Sequence, residues 1–335
     1  MELSGPLSYS TPISVNNSYS ANAIQNVAVL LPGVFVNGVV LFVCLRPNKM
    51  PSRFRVIVLG TTLCNFTGMF FSFLFMTFYL YHYLSGVETT FLMCGLLRRT
   101  ASYMSLPSMN IVIVNSIDRY LHICRNIRVP ERRIVIAYVA LHILAAACIA
   151  VHVAYGYVSY EDACGVTISA PRHFHIYVSI GWLLTIVVAF VFGCKTMIYL
   201  LNYERANKIS GNILRNGSWK EVLGRRPTIK RKIGQREVHV QKSIIMGIFL
   251  QGVIPMITVS AAMTMVVNIF HMGRQISEVA QMLFSALYYS HYTLSPILTI
   301  VFGRPLRTAV IASFKAGYSK IPTSSGANRS PVVSL

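Results

Sequence analysis

Charge is what this chain has least of. Only 12% of its 335 residues are charged, about half the ~25% usual in a soluble domain. Acids are scarcer still: 10 Asp and Glu stand against 30 Lys and Arg. Several other things are missing. No acid except Asp118 falls inside a long apolar run, and no internal repeat is visible, which argues against a secondary transporter built from repeats around midplane ionisable groups. The histidines and cysteines show no metal-ligand spacing, and no nucleophile–base constellation stands out, so neither a metal site, nor a cofactor, nor an enzyme is expected. The first 23 residues lack a basic stretch ahead of an apolar one, so they do not read as a cleaved signal peptide.

What is present is 54% hydrophobic residues, gathered into long runs. No charge occurs between Glu2 and Arg46, Arg55 and Glu88, Arg133 and Glu161, Arg172 and Lys195, Lys242 and Arg274, or Glu278 and Arg304. Each gap holds about 20 apolar residues or more, enough for a helix to cross a ~30 Å hydrocarbon core. A further run is broken only by Arg98 and Arg99 near its start and by Asp118 and Arg119 near its end. The runs predict seven spans, at 24–45, 56–83, 91–123, 134–158, 174–203, 242–270 and 279–302. Helices are required because lipid offers an open backbone no hydrogen-bond partners. A β-barrel would show alternating segments of about ten residues instead. The fold class expected is therefore an all-α membrane protein, a seven-transmembrane helix bundle.

The net charge of +20 follows from sidedness. With the N-terminus outside, 26 of the 30 basic residues fall on the inner side, as the positive-inside rule requires. An anionic inner leaflet attracts such clusters, so the bilayer is the partner they imply and no nucleic acid is needed. Residues 1–23 are then an extracellular N-terminus, 24–316 the membrane domain and 317–335 a Ser/Gly/Pro-rich tail expected to be disordered on the cytoplasmic side. Asn16 opens an outer glycosylation sequon. Cys44, Cys64, Cys124, Cys148 and Cys194 lie in spans or near the cytoplasm, where thiols stay reduced. Cys94 and Cys164 face the oxidising side, either as a bridge or as two unrelated thiols.

Asp118-Arg119-Tyr120 at the inner end of the third span, with Cys94 twenty-five positions before Arg119, resembles the rhodopsin-like G-protein-coupled receptors. Asn37 resembles that family's first-helix asparagine and Pro255 its sixth-helix proline, while Ser295-Pro296-Ile297-Leu298-Thr299 stands where the family has Asn-Pro-x-x-Tyr. Phe302, Leu306, Val310 and Phe314 recur every four residues, similar to the short amphipathic helix that follows the last span. The resemblance implies a Cys94–Cys164 bridge, a heterotrimeric G protein as partner, an extracellular small-molecule ligand and a multi-pass place in the plasma membrane. There are departures. Asn65 replaces the sodium-site aspartate, Val253 the aromatic before the sixth-helix proline, Ser295 the asparagine and Thr299 the tyrosine of the last helix. The segments 250–255 and 295–307 look similar to nematode serpentine chemoreceptors, which implies a chemosensory receptor, with a sensory cilium as a further expected site. A neuropeptide- or transmitter-type receptor is the alternative within the class; a transporter or channel is the alternative outside it.

Arg119 has two readings: a charge that rests neutralised on Asp118 and is released to meet a partner, or a topology anchor at the membrane boundary. Pro255 and Pro296 are hinges or tolerated kinks. Arg98 lies about one turn beyond Cys94 on nearly the same face. It is a candidate for a ligand carboxylate or phosphate, for pairing with Glu88, Glu161 or Asp162, or for snorkelling to headgroups.

Overall fold

A computed structural model describes residues 10–15, 19–46, 50–154, 183–203, 253–254, 256–258, 260 and 277–318. Its described part is helical apart from two short strands. In order these are β1 (Pro12–Ile13), α1 (Ser20–Leu45), α2 (Ser52–Ser85), β2 (Thr89–Thr90), α3 (Phe91–Cys124), α4 (Glu131–Ala154), α5 (Leu183–Tyr203), α6 (Glu278–Phe302) and α7 (Arg304–Tyr318).

Four helices are long and apolar enough to cross a membrane: α1, α2, the Glu131–Val151 stretch of α4, and α5. A fifth qualifies as a bent pair, α6 with the first part of α7, turned by 94° at their junction. The chain is thus a multi-pass, all-α membrane protein. Two of the seven expected spans do not stand with these. Most of 242–270 lies outside the described residues. The 34-residue α3 is long enough but not apolar enough to qualify alone. The reason is its place in the packing: it lies against both α2 and α4, and its buried side includes Ser105, Ser108, Asn115, Ser116 and Asp118. A helix covered by its neighbours need not present hydrocarbon all round.

The helix ends follow local chemistry. Gly86, at φ 67°, ends α2 and donates its N–H to the His82 carbonyl, a left-handed stop that glycine takes without strain. Thr90 opens α3 by accepting from the Met93 N–H at 3.3 Å, and Ser277 opens α6 in the same way through Ala280. Asn126, at φ 54°, turns the chain out of α3 while the Ile127 N–H reaches the Leu121 carbonyl at 2.9 Å.

Helix α2 is central, packing against α1, α3, α4 and α6. Close approach is paid for in side-chain volume. A β-carbon at Gly60 would fall 1.9 Å from the Tyr138 ring, and one at Gly68 would fall 2.8 Å from the Met104 carbonyl oxygen.

Polar side chains tie the helices together inside the bundle. Asn115 donates to Thr61 at 2.9 Å and accepts from the Tyr138 hydroxyl at 2.8 Å, joining α2, α3 and α4. Asn65 donates to Ser295 at 3.1 Å, joining α2 to α6. Pro296 sits within α6 and has no N–H, so the carbonyl of Tyr292, four residues back, loses its helical donor. Asn37 of α1 supplies the replacement, its Nδ2 reaching that carbonyl at 2.9 Å and the Gly33 carbonyl at 2.9 Å. The first-helix asparagine and the last-helix proline are one structural unit.

That unit generates a test. Asn37→Ala should cost about 1–3 kcal/mol of stability, the price of an orphaned buried acceptor. In a Pro296→Ala background, where residue 296 regains an N–H for the Tyr292 carbonyl, the same substitution should cost clearly less. Thermal unfolding in detergent, followed by a thiol-reactive dye on the fully buried Cys44 and Cys64, reads both. Equal costs in the two backgrounds would break the link.

Candidate functional site at the two ends of the bundle

The end of the bundle where α3 terminates is organised by Asp118. Its carboxylate is 4% exposed and forms an ion pair with Arg53, in the first turn of α2. The close ion pair of Asp118 is thus with Arg53 and not with Arg119, and the geometry of a helix explains why. Adjacent residues point about 100° apart and do not face each other, whereas Arg53 arrives from a neighbouring helix. The other Arg53 Nη donates to the Val129 carbonyl at 2.6 Å, just before α4. Ser52, beside it, donates to Glu131 Oε2 at 2.9 Å. Arg53 thus clasps the base of α2 to the end of α3 and to the segment entering α4.

Arg119 is left half-buried beside this clasp. Its Nε is enclosed and has no hydrogen-bond partner among the described residues; the same holds for His122 Nδ1 one turn on. Tyr120 turns the other way, toward α5, its ring 5.1 Å from that of Phe192, and the Arg125 guanidinium lies 6.0 Å from the Tyr120 ring centre. The three residues of the triplet thus have three separate roles: Asp118 anchors α3 to α2, Tyr120 contacts α5, and Arg119 carries a charge without an ion-pair partner among the described residues. A guanidinium so placed suits an incoming carboxylate or backbone carbonyl.

At the end where α3 begins, β1 pairs antiparallel with β2, Pro12 opposite Thr90 and Ile13 opposite Thr89, and the Phe91 N–H donates to the Thr11 carbonyl at 3.0 Å. The segment before α1 is thereby laid against the start of α3. Tyr19, where it enters α1, packs edge-on to Tyr79 at 5.3 Å and donates to the Met76 sulfur at 3.5 Å. Arg98 is half-buried with its guanidinium 6.0 Å from the Tyr19 ring centre. Burial raises the Tyr19 phenol above its usual pKa, and the Arg98 charge works against that shift. Among the described residues Arg98 makes no ion pair, Glu88 being exposed and unpaired with it. Glu161 and Asp162 lie outside the described residues.

Arg99, not Arg98, is the deeply buried arginine, at 5% exposure. Its burial was visible in the spacing: Arg99, Tyr103 and Leu106 form an i, i+4, i+7 row, and all three are buried. Cys94 is fully buried and is not a free thiol. Cys164, Pro255 and Asn16 lie outside the described residues, while Pro296 is buried in α6. No group of residues suited to a metal ion occurs among the described residues.

The clasp makes a sharp expectation. Removing one partner of a buried ion pair strands the other and typically costs about 3–5 kcal/mol. Arg53→Gln should lower thermal stability on that scale, whereas Arg46→Gln, at an exposed residue, should leave it nearly unchanged; equal melting shifts would deny the clasp its role. No protein-family model matches this chain, and no curated protein is significantly similar to it.

Proposed function

We propose that this chain is a seven-span, rhodopsin-like G-protein-coupled receptor, chemosensory in role, that binds a small molecule from outside and promotes nucleotide exchange on a heterotrimeric G protein. The carrying observation is Arg119. The acid beside it in sequence is paired with Arg53, and Arg119 is half-buried at that end of the bundle with no ion-pair partner among the described residues. A mere boundary anchor would sit in water or headgroups; this one is half inside the helices. The basic bias, 26 of 30 Lys and Arg on one side, supports an N-terminus outside; a place in the plasma membrane is part of the proposed receptor role.

Two further features support a ligand site at the opposite end. Arg98 offers a half-buried cation beside the Tyr19 ring, suited to an anionic group. The β1–β2 pairing lays the N-terminal segment over the start of α3, next to that arginine. A bridge between Cys94 and Cys164 would tie the second outer loop to the same place. Asp118 holds α3, Tyr120 its contact with α5, and Pro255 and Pro296 serve as the points about which helices swing.

One assay tests the reading. In a small-molecule screen with nucleotide exchange as readout, the wild-type receptor should respond, and Arg119→Ala should be silent at near-normal surface expression. Full exchange from a well-expressed Arg119→Ala receptor would reject the role of Arg119. In the same assay Arg98→Gln should weaken the potency of an anionic agonist by about tenfold or more, roughly 1.4 kcal/mol, without loss of expression. Lower expression with unchanged potency would make Arg98 structural.

The bridge has its own check. Peptide mapping without reductant should recover Cys94 linked to Cys164 from surface-expressed receptor; both peptides carrying free thiols would end that assignment.

A further inference from the structure

An apolar groove of about 470 Å³ runs between α1 and α7, lined by Val34, Phe35, Gly38, Val39 and Phe42 on one side and Phe314 on the other. Its volume falls within the ~300–1,000 Å³ of small-molecule sites. Val34, Gly38 and Phe42 are spaced by four, so the groove follows one stripe of α1 for about 12 Å. Gly38 is its open floor: a β-carbon there would meet nothing within 4 Å. The lining also includes Ser313, but its hydroxyl donates within its own helix, to the Ala309 carbonyl at 2.9 Å. Hydrocarbon is what such a surface accepts.

The groove ends at a charge. Arg46 is the next residue of the same stripe, four beyond Phe42, and its guanidinium lies 3.9 Å from the Phe42 ring centre. The residue is exposed and makes no ion pair among the described residues. A second arginine, Arg55, is anchored at the same helix end through the Cys44 carbonyl at 2.7 Å. A narrow apolar track closed at one end by an exposed guanidinium is complementary to an amphiphile with one long chain in the track and an anion at its head. Arg307, on α7, is committed to the Val301 carbonyl at 2.9 Å.

We propose that this groove is a site for an anionic glycerophospholipid, one acyl chain lying along Val34, Gly38 and Phe42 and the phosphate resting on Arg46. The bent α7 forms the second wall, so occupancy would brace it against α1.

Native mass spectrometry of the full chain, released from nanodiscs holding equal phosphatidylserine and phosphatidylcholine of matched chains, tests this directly. The wild type should retain the anionic lipid several-fold over the zwitterionic one. Gly38→Leu, whose β-carbon would meet nothing within 4 Å and whose branch would enter the groove, should lose that retained lipid while its melting temperature holds. Arg46→Gln should keep a lipid and lose the preference. Equal retention of both lipids by the wild type would overturn the site, as would an undiminished preference in Gly38→Leu. Displacement of the lipid by a neutral sterol, equally in wild type and Arg46→Gln, would reassign the groove to a sterol and overturn the proposal. The readout is lipid occupancy, so failure here would leave the coupling reading standing, and failure of coupling would leave occupancy unchanged.

Discussion

A hydrocarbon solvent gives no hydrogen bonds, and the interior of this protein is arranged around that constraint. Several of the polar groups taken inside find a partner on another helix. Pro296 would leave the Tyr292 carbonyl bare, so Asn37 crosses from α1 to serve it. Asn115 cannot be satisfied by α3 alone, so it bridges Thr61 and Tyr138. The buried Asp118 carboxylate is paired with Arg53, which comes from α2. These contacts fix which helices lie together: α1 with α6, α2 with α3 and α4, and α2 with α6.

The same constraint separates the two ends of α3. At the end where α3 terminates, Asp118 is paired with Arg53, and Arg119 makes no ion pair among the described residues. At the outer end Arg99 is buried while Arg98 stays half-exposed beside Tyr19. One helix thus carries the polar groups of both proposed sites. Its sequence is the least lipid-like of the long helices because so much of its surface is covered.

Hydropathy made most of the fold legible, because lipid-facing helices must be apolar for about 20 residues and charges must retreat to their ends. It read α3 less well, since a covered helix answers to its protein neighbours and not to lipid. Motif spacing located Asp118, Arg119 and Tyr120, but it did not show that Asp118 makes its close ion pair with Arg53. Arg53 is 65 positions away, and only packing brings it there, while the adjacent Arg119 points elsewhere on the helix. The choice between Arg98 and Arg99 was readable from the buried row through Tyr103 and Leu106, yet the spacing from Cys94 pulled attention to the other residue. Pro296 was visible as a kink; that Asn37 completes it was not, because the contact spans two ends of the chain.

The claim on which most rests is that Arg53 and Asp118 act as a buried pair that organises the inner end and leaves Arg119 free. A double-mutant cycle on Arg53→Met and Asp118→Leu, read by thermal stability of the purified protein, addresses it directly. The account predicts that each single substitution is strongly destabilising and the double much less so than their sum, with a coupling of roughly 1–3 kcal/mol. Additive losses, with no coupling between the two positions, would contradict it.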